Sequence, residues 1–162
     1  MSTQSYTVSE AQKKMEYYCS YQERCHHEVV AKLQSMNMIP QAIDLIVVHL
    51  ITHNFLNEER FARSFARGKH RFKKWGRFRI ESELKSRHIS SYNITKALQE
   101  IPKEVYWTTF HELAEKHWES IKIQNLQQKR KKFCDFLLRK GYETSLIFEK
   151  LNDLEKGITS EW

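Results

Sequence analysis

Three groupings in this 162-residue chain hold side chains able to do chemistry. Cys25-His26-His27 and the pair His49/His53, four residues apart, carry the donor types that bind zinc. Neither has a second Cys or His pair at a recognised zinc spacing, and adjacent His26 and His27 do not easily face one ion from a helix. No metal site and no cofactor are expected. Catalysis has no constellation either: there is no phosphate-binding Gly loop, no nucleophile elbow and no Glu/His metalloprotease helix, so a non-enzymatic role is expected.

The third grouping is cationic. The chain carries a net charge of +7, yet residues 60–88 alone hold eleven Lys or Arg (Arg60, Arg63, Arg67, Lys69, Arg71, Lys73, Lys74, Arg77, Arg79, Lys85 and Arg87) against Glu81 and Glu83. The remainder is slightly acidic. A smaller cluster, Lys129-Arg130-Lys131-Lys132, stands in a matching place further along, ahead of a later helix. A solvated helix face would intersperse acids among its bases. None occurs from Arg60 through Ile80, so like-charge repulsion in the run calls for an anionic partner. Lys74-Trp75-Gly76-Arg77-Phe78 also mixes cations with aromatics, as single-strand-binding grooves do. Phe72 and Phe78 are assigned to the core, and Trp75 is left open. The candidate binding face comprises Arg60, Arg63, Arg67, Lys69, Arg71, Lys73, Lys74, Arg77, Arg79, Arg87 and Lys129, Arg130, Lys131, Lys132.

The elements that position these residues come from a repeat. Stretches 28–50, 79–101 and 132–154 align without a gap. Apolar columns stay in step: Val29/Ile80/Phe133, Leu33/Leu84/Leu137, Met38/Ile89/Tyr142, Ile43/Ile94/Ile147, Val47/Leu98/Leu151 and Leu50/Ile101/Leu154. Such an array stacks one unit rather than building one large core. Helical spacing holds in each half of the unit and breaks near the Met38/Ile89/Tyr142 column. Asn37, His88 and Gly141, which tolerate a left-handed helix end, precede the break. Pro40, Ser91 and Thr144 follow, residues suited to a first turn or cap. The earlier helix is expected to start at the Cys25/Gly76/Lys129 column, and Cys25 with Glu28 reads as a capping box with one weakened half. A further amphipathic run precedes each pair: Val8 to about Tyr18, then Phe61, Ala62, Phe65 and Ala66, then Phe110 to Ile121. The fold class is therefore all-α, an elongated tandem array of three three-helix repeats at 8–54, 55–102 and 103–155, with flexible tails at 1–7 and 156–162.

Composition agrees. Four Gly and two Pro supply little turn chemistry for a sheet protein. No apolar run is long enough to span a membrane, and no signal-peptide segment opens the chain, so a cytoplasmic protein without membrane contact is expected. Cys19, Cys25 and Cys134 are odd in number and irregularly spaced, which suits a reducing compartment.

The segment LNEERFARSFARGKHRFKKWGRFRIESELKSRHI (56–89) resembles the signature of the RecX regulatory proteins. An acidic turn leads to a Phe-Ala pair, a basic run, and Gly before an Arg-Ile and Glu-Leu helix start. The matching residues are Leu56, Glu58, Glu59, Arg60, Phe61, Ala62, Arg71, Gly76, Arg79, Ile80, Glu83 and Leu84. Glu28, Lys32 and Leu33 are similar to the family's opening unit, and residues 136–142 to its third. Cys25 departs from the usual Ser, and His88 from a common Gly. The resemblance implies an elongated array that binds the RecA recombinase filament and suppresses its ATPase and strand-exchange activities, thereby modulating recombination, DNA repair and the SOS response.

Two other readings bear on the same residues. A helix-turn-helix protein would carry base-reading cations on the last helix of a unit. Here Gln41 to Thr52 has no Lys or Arg, the second unit offers only Lys96, and Lys150 is balanced by Glu149 and Asp153. Sequence-specific readout is not expected, whereas non-specific contact with single- or double-stranded DNA needs only cations. The expectation is a monomeric modulator of the RecA filament, with a sequence-independent DNA-binding module as the alternative.

Overall fold

A computed structural model describes residues 4–157; the parts of the expected tails at 1–3 and 158–162 lie outside the described residues. Nine α-helices and no strand occur among them: α1 (Val8–Tyr21), α2 (His26–Ser35), α3 (Pro40–Thr52), α4 (Glu58–Lys73), α5 (Arg77–Ser86), α6 (Ser91–Leu98), α7 (Lys103–Ser120), α8 (Leu126–Lys140) and α9 (Thr144–Glu155). Each successive triplet is one unit of a tandem three-helix array, as the columns predict.

The break between second and third helix is built identically three times. Asn37, His88 and Gly141 have φ of 60°, 59° and 96°. The next residue's N–H donates to the carbonyl of the same column each time: Met38 to Leu33, Ile89 to Leu84 and Tyr142 to Leu137, all at 3.2 Å. This six-to-one bond, with its side chains in apolar contact, is the Schellman closure. Pro40, Ser91 and Thr144 each open the third helix, with non-helical Ile39, Ser90 and Glu143 as caps. At the start of α2 the Glu28 carboxylate accepts from the Cys25 N–H at 3.4 Å, and Gly76 caps α5.

One boundary differs from expectation. The α8 cap is Asn125, whose side chain accepts from the Gln128 N–H at 3.1 Å, and the helix begins at Leu126 rather than after Lys129. Asn is the better cap, because its carbonyl satisfies a backbone donor that a Lys cannot. Lys129 to Lys132 therefore lie inside α8 instead of ahead of it.

The apolar columns are buried, except that Met38, Leu98 and Leu154 are half-buried. A further buried column, Ile46/Ala97/Lys150, escaped the sequence pattern because its third member is charged. Lys150 is not a surface residue balanced by its helix neighbours: its ammonium reaches Glu115 of α7 at 2.7 Å. Two cores result. One lies in the first unit, around Ala11, Met15, Leu33, Ile46 and Leu50, and takes in Leu56 from the start of the second. The other runs without a break through the second and third units, from Phe61 and Leu84 to Phe110, Leu137 and Ile147, and takes in Cys25 from the first.

Candidate functional site

The second and third units meet turn against turn. The Gly76 N–H donates to the Lys140 carbonyl at 2.7 Å, and the Phe78 N–H to the Gly141 carbonyl at 3.0 Å. The backbones approach so closely that a Cβ on Gly76 would lie 2.4 Å from the Gly141 carbonyl oxygen, and one on Gly141 2.4 Å from Arg79. Side chains lock the joint. The Tyr142 hydroxyl donates to the Lys74 carbonyl and the Lys140 ammonium to that of Lys73. The Tyr106 hydroxyl accepts from the Arg77 N–H and donates to Glu143 at 2.7 Å. Burial, first of all, pushes the Tyr106 hydroxyl well above its ordinary pKa, so it stays a donor.

This joint divides the sequence-predicted cations into two sets. Several are bound into the fold by acids distant in sequence. Arg60 bonds Glu23 at 2.6 Å and the Asn54 and Phe55 carbonyls, tying the second unit to the first. Arg63 bonds Glu59 and Glu100, and Arg67 reaches Glu100 at 3.3 Å. Hydrogen bonding from Arg63 holds the Glu100 carboxyl below the usual range. Arg77 faces Glu143 at 3.6 Å and lies over the Tyr106 ring. Arg87 bonds Glu83 and covers Phe65, Arg130 is held by Glu155, and Lys131 by Asp135. The premise that repulsion along 60–80 is unrelieved thus fails at Arg60, Arg63, Arg67 and Arg77. Acids absent from the run in sequence reach it in space from the α1–α2 turn, the end of α6 and the cap of α9.

The other set lies at the end of α4, at the start of α5 and along α8. Arg71, Lys73, Lys74 and Lys132 make no ion pair among the described residues, and Arg79 spends its guanidinium on the Trp75 ring and the Arg139 carbonyl. Lys69 lies over Phe65 and Trp75, and Lys129 over Trp118. Arg139 and Lys140 of α8 join them across the joint, and Lys132 lines a shallow hollow with Arg139. Burial and then the nearby Arg79 and Lys73 push the Lys140 ammonium below the usual lysine value, which is what a crowded positive strip does.

Sequence reasoning missed Arg139 and Lys140, because the repeat alone does not say which turn docks on which. The aromatics also trade places. Phe72 and Phe78, assigned to the core, are 74% and 58% exposed, while Trp75 packs against it. Phe72 closes the amphipathic face of α4 off the Ala62/Ala66/His70 stripe that is buried. Trp75 is drawn inward by Phe65 and by the His70 Nδ1–H, which donates to the Trp75 carbonyl at 2.9 Å.

The histidine and cysteine clusters do not converge on an ion site. Cys25 is buried as a helix cap, His27 meets the His88 ring, and His49 bonds Glu16 and packs against the tilted His53 ring. Among the described residues no group of three or more potential ligands is placed to hold a metal, and no helix is long and apolar enough to cross a membrane.

Comparison with known proteins completes the picture. Residues 57–98 match the family described as RecX, second three-helix domain, and residues 104–151 the one described as RecX, third three-helix domain. The chain is 28% identical over 139 residues to the regulatory protein RecX of Bacillus cytotoxicus, covering 86% of this chain and 52% of that protein. It is 29% identical over 138 residues to that of Bacillus mycoides, covering 85% and 51%. The chain therefore spans about half the length of the curated relatives it matches. The crystal structure of RecX from Lactobacillus salivarius superposes with a TM-score of 0.76 at 25% identity, over 92% of this chain and 97% of that one. A second regulatory protein RecX superposes at 0.75 and 23% identity, over 90% and 73%, a likeness of fold.

Proposed function

The chain belongs to the RecX family, and from that premise we propose that it binds the RecA nucleoprotein filament and inhibits ATP hydrolysis and strand exchange. It does so without catalysis of its own, as a cytoplasmic monomer built of units at 8–54, 55–102 and 103–155. The observation that carries the reading is the set of cations without carboxylate partners on the two sides of the joint of the second and third units, Lys73 and Lys74 with Arg71 in the last turn of α4, and Lys132 and Arg139 on α8. An elongated helical array with such a strip can lie along a filament and bridge neighbouring protomers through acidic protein surface or DNA phosphate. Bridging opposes the protomer motions that hydrolysis and exchange require. The ion-paired Arg60, Arg63, Arg67, Arg77, Arg87, Arg130 and Lys131 serve the fold, and Lys69, Arg79 and Lys129 flank the strip.

The test is RecA-dependent ATP hydrolysis on saturating single-stranded DNA with the purified chain added. Reversal of Arg71, Lys73, Lys74 and Arg139 to Glu should raise the concentration needed for inhibition by at least about tenfold, since like charges brought together at an interface cost several kcal/mol. The circular dichroism spectrum should not change. Reversal of Lys129, Lys131 and Lys132 should weaken inhibition less. A folded four-site variant that inhibits as well as the parent removes the strip from the mechanism. A parent that binds DNA but leaves hydrolysis untouched returns the chain to the sequence-independent DNA-binding reading.

A further inference from the structure

Two hollows occupy matching positions in the first and second units. In the first unit a hollow of about 190 Å3 is lined by Lys14, Tyr17, Tyr18, Tyr21, Arg24 and Lys32, with no carboxylate in its wall. In the second unit one of about 430 Å3 has Phe65, Gly68, Lys69, Phe72 and Lys73 along α4. A shift of 51 residues carries Lys14, Tyr17, Tyr18 and Tyr21 onto Phe65, Gly68, Lys69 and Phe72. The same shift carries buried Ala11, Met15 and Cys19 onto buried Ala62, Ala66 and His70, so packing fixes both hollows on one face of the repeat.

Both present flat apolar rings to solvent beside cations. Tyr17 and Tyr21 are 72% and 71% exposed, with ring centroids 6.5 Å apart, and Phe72, the counterpart of Tyr21, is as exposed as they are, while Gly68 stands in the place of Tyr17. Lys14 and Lys32 make no ion pair among the described residues, and Arg24 lies 3.8 Å over the Tyr18 ring. In the second hollow Lys69 and Lys73 supply the charge. The facing wall from the first unit holds Glu23, paired with Arg60, and Glu28, which accepts from the neutral Cys25 N–H and keeps its charge, so Lys69 and Lys73 outnumber one uncompensated acid. A ligand complementary to exposed rings edged with cations has flat apolar plates joined by anionic links. Single-stranded nucleic acid has that form. A duplex hides its plates, and an acidic peptide has no run of them.

We propose that a single nucleic-acid strand crosses the first two units, with bases stacked on Tyr17, Tyr21 and Phe72 and its backbone held by Lys14, Lys32, Lys69 and Lys73. This surface shares Lys73 with the strip at the second joint, but its rings lie outside that strip and it does not depend on contact with a recombinase. The measurement is fluorescence anisotropy of the whole chain with a labelled oligothymidylate about twenty nucleotides long, set against an abasic strand of the same length and charge. The parent should bind the thymidylate at least about tenfold more tightly than the abasic strand. Tyr17→Ala with Tyr21→Ala, and separately Phe72→Ala, should each lower thymidylate affinity by about five- to tenfold. Both should leave the abasic affinity and the far-ultraviolet spectrum unchanged, and Tyr92→Ala, exposed on α6, should change nothing. Equal affinity for the two strands, unaltered thymidylate binding in the variants, or tighter binding of a duplex overturns the proposal. Variants that lose RecA inhibition yet keep thymidylate binding assign the hollows to a protein surface and also overturn it. The expected pattern from a parent that fails to inhibit RecA upholds this site while the recombinase reading falls.

Discussion

At the scale of single residues, two glycines with different surroundings should respond oppositely to one added methyl. Gly76 sits where a Cβ would press into the Gly141 backbone at 2.4 Å, and neither chain can retreat without breaking the bond from Gly76 N–H to Lys140. Gly76→Ala should cost about 1–3 kcal/mol or more, as overpacking does. Gly68, inside α4, has nothing within 4 Å of such a Cβ, so Gly68→Ala should stabilise by about 0.5–1 kcal/mol. Urea unfolding of both variants checks this, and equal shifts would contradict the joint geometry.

Histidine protonation offers a second residue-scale outcome. Burial lowers the pKa of His70, helped by Lys74 and Arg77, and burial lowers those of His111 and His117 as well. Above pH ~6.5 these rings are neutral folded and unfolded, so the folded state keeps its full stability. As pH falls below that value the unfolded chain takes up protons that the folded chain refuses, and stability declines toward the lower folded pKa. Tm should therefore drop between about pH 6.5 and 5, above the carboxylate range, and His70→Gln should shrink the drop. A Tm that is flat or rises on acidification refutes the assignment.

At the scale of elements, the register and the caps are testable in pairs. Leu84 is fully buried in its column and Lys85 is exposed in a pair with Glu81. Leu84→Ala should cost about 2–5 kcal/mol and Lys85→Ala no more than a few tenths. Asn125→Ala should cost about 1 kcal/mol by removing the α8 cap, whereas Lys129→Ala, within the helix, should cost less. Thermal unfolding ranks all four. The left-handed residues were legible from type because Asn, His and Gly suit that backbone better than most side chains do. The α8 start was not, since the repeat places columns and says nothing of an extra turn before them.

At the scale of the molecule, two cores in one chain predict two cooperative regions. The first unit's core is separate from that of α4–α9, and the ties between the first and second units are Leu56, Cys25, the pair of Arg60 with Glu23, and the His27–His88 contact. Amide exchange should show α1–α3 opening at lower free energy than α4–α9, which share one core across Gly76 and Gly141. A single uniform protection level would rule this out. Salt tests the proposed charge contacts: if the strip meets DNA phosphate, removing one of its cations should reduce the slope of log affinity against log salt by about 0.7–0.9. Removing a stacking ring should lower affinity with the slope unchanged.

The sequence by itself determined the helical class, the threefold repeat, its buried columns and the turns between second and third helices. Those features rest on periodicity and on backbone preferences that act over a few residues. Tertiary structure decided which cations are available, because Glu23, Glu100, Glu143 and Glu155 approach their arginines from 25 residues or more away along the chain. It also decided that Phe72 and Phe78 face solvent while Trp75 does not, and that Arg139 and Lys140 join a strip begun on α4. Charge pairing and docking depend on distances that folding sets between units, and no local pattern in the chain encodes them.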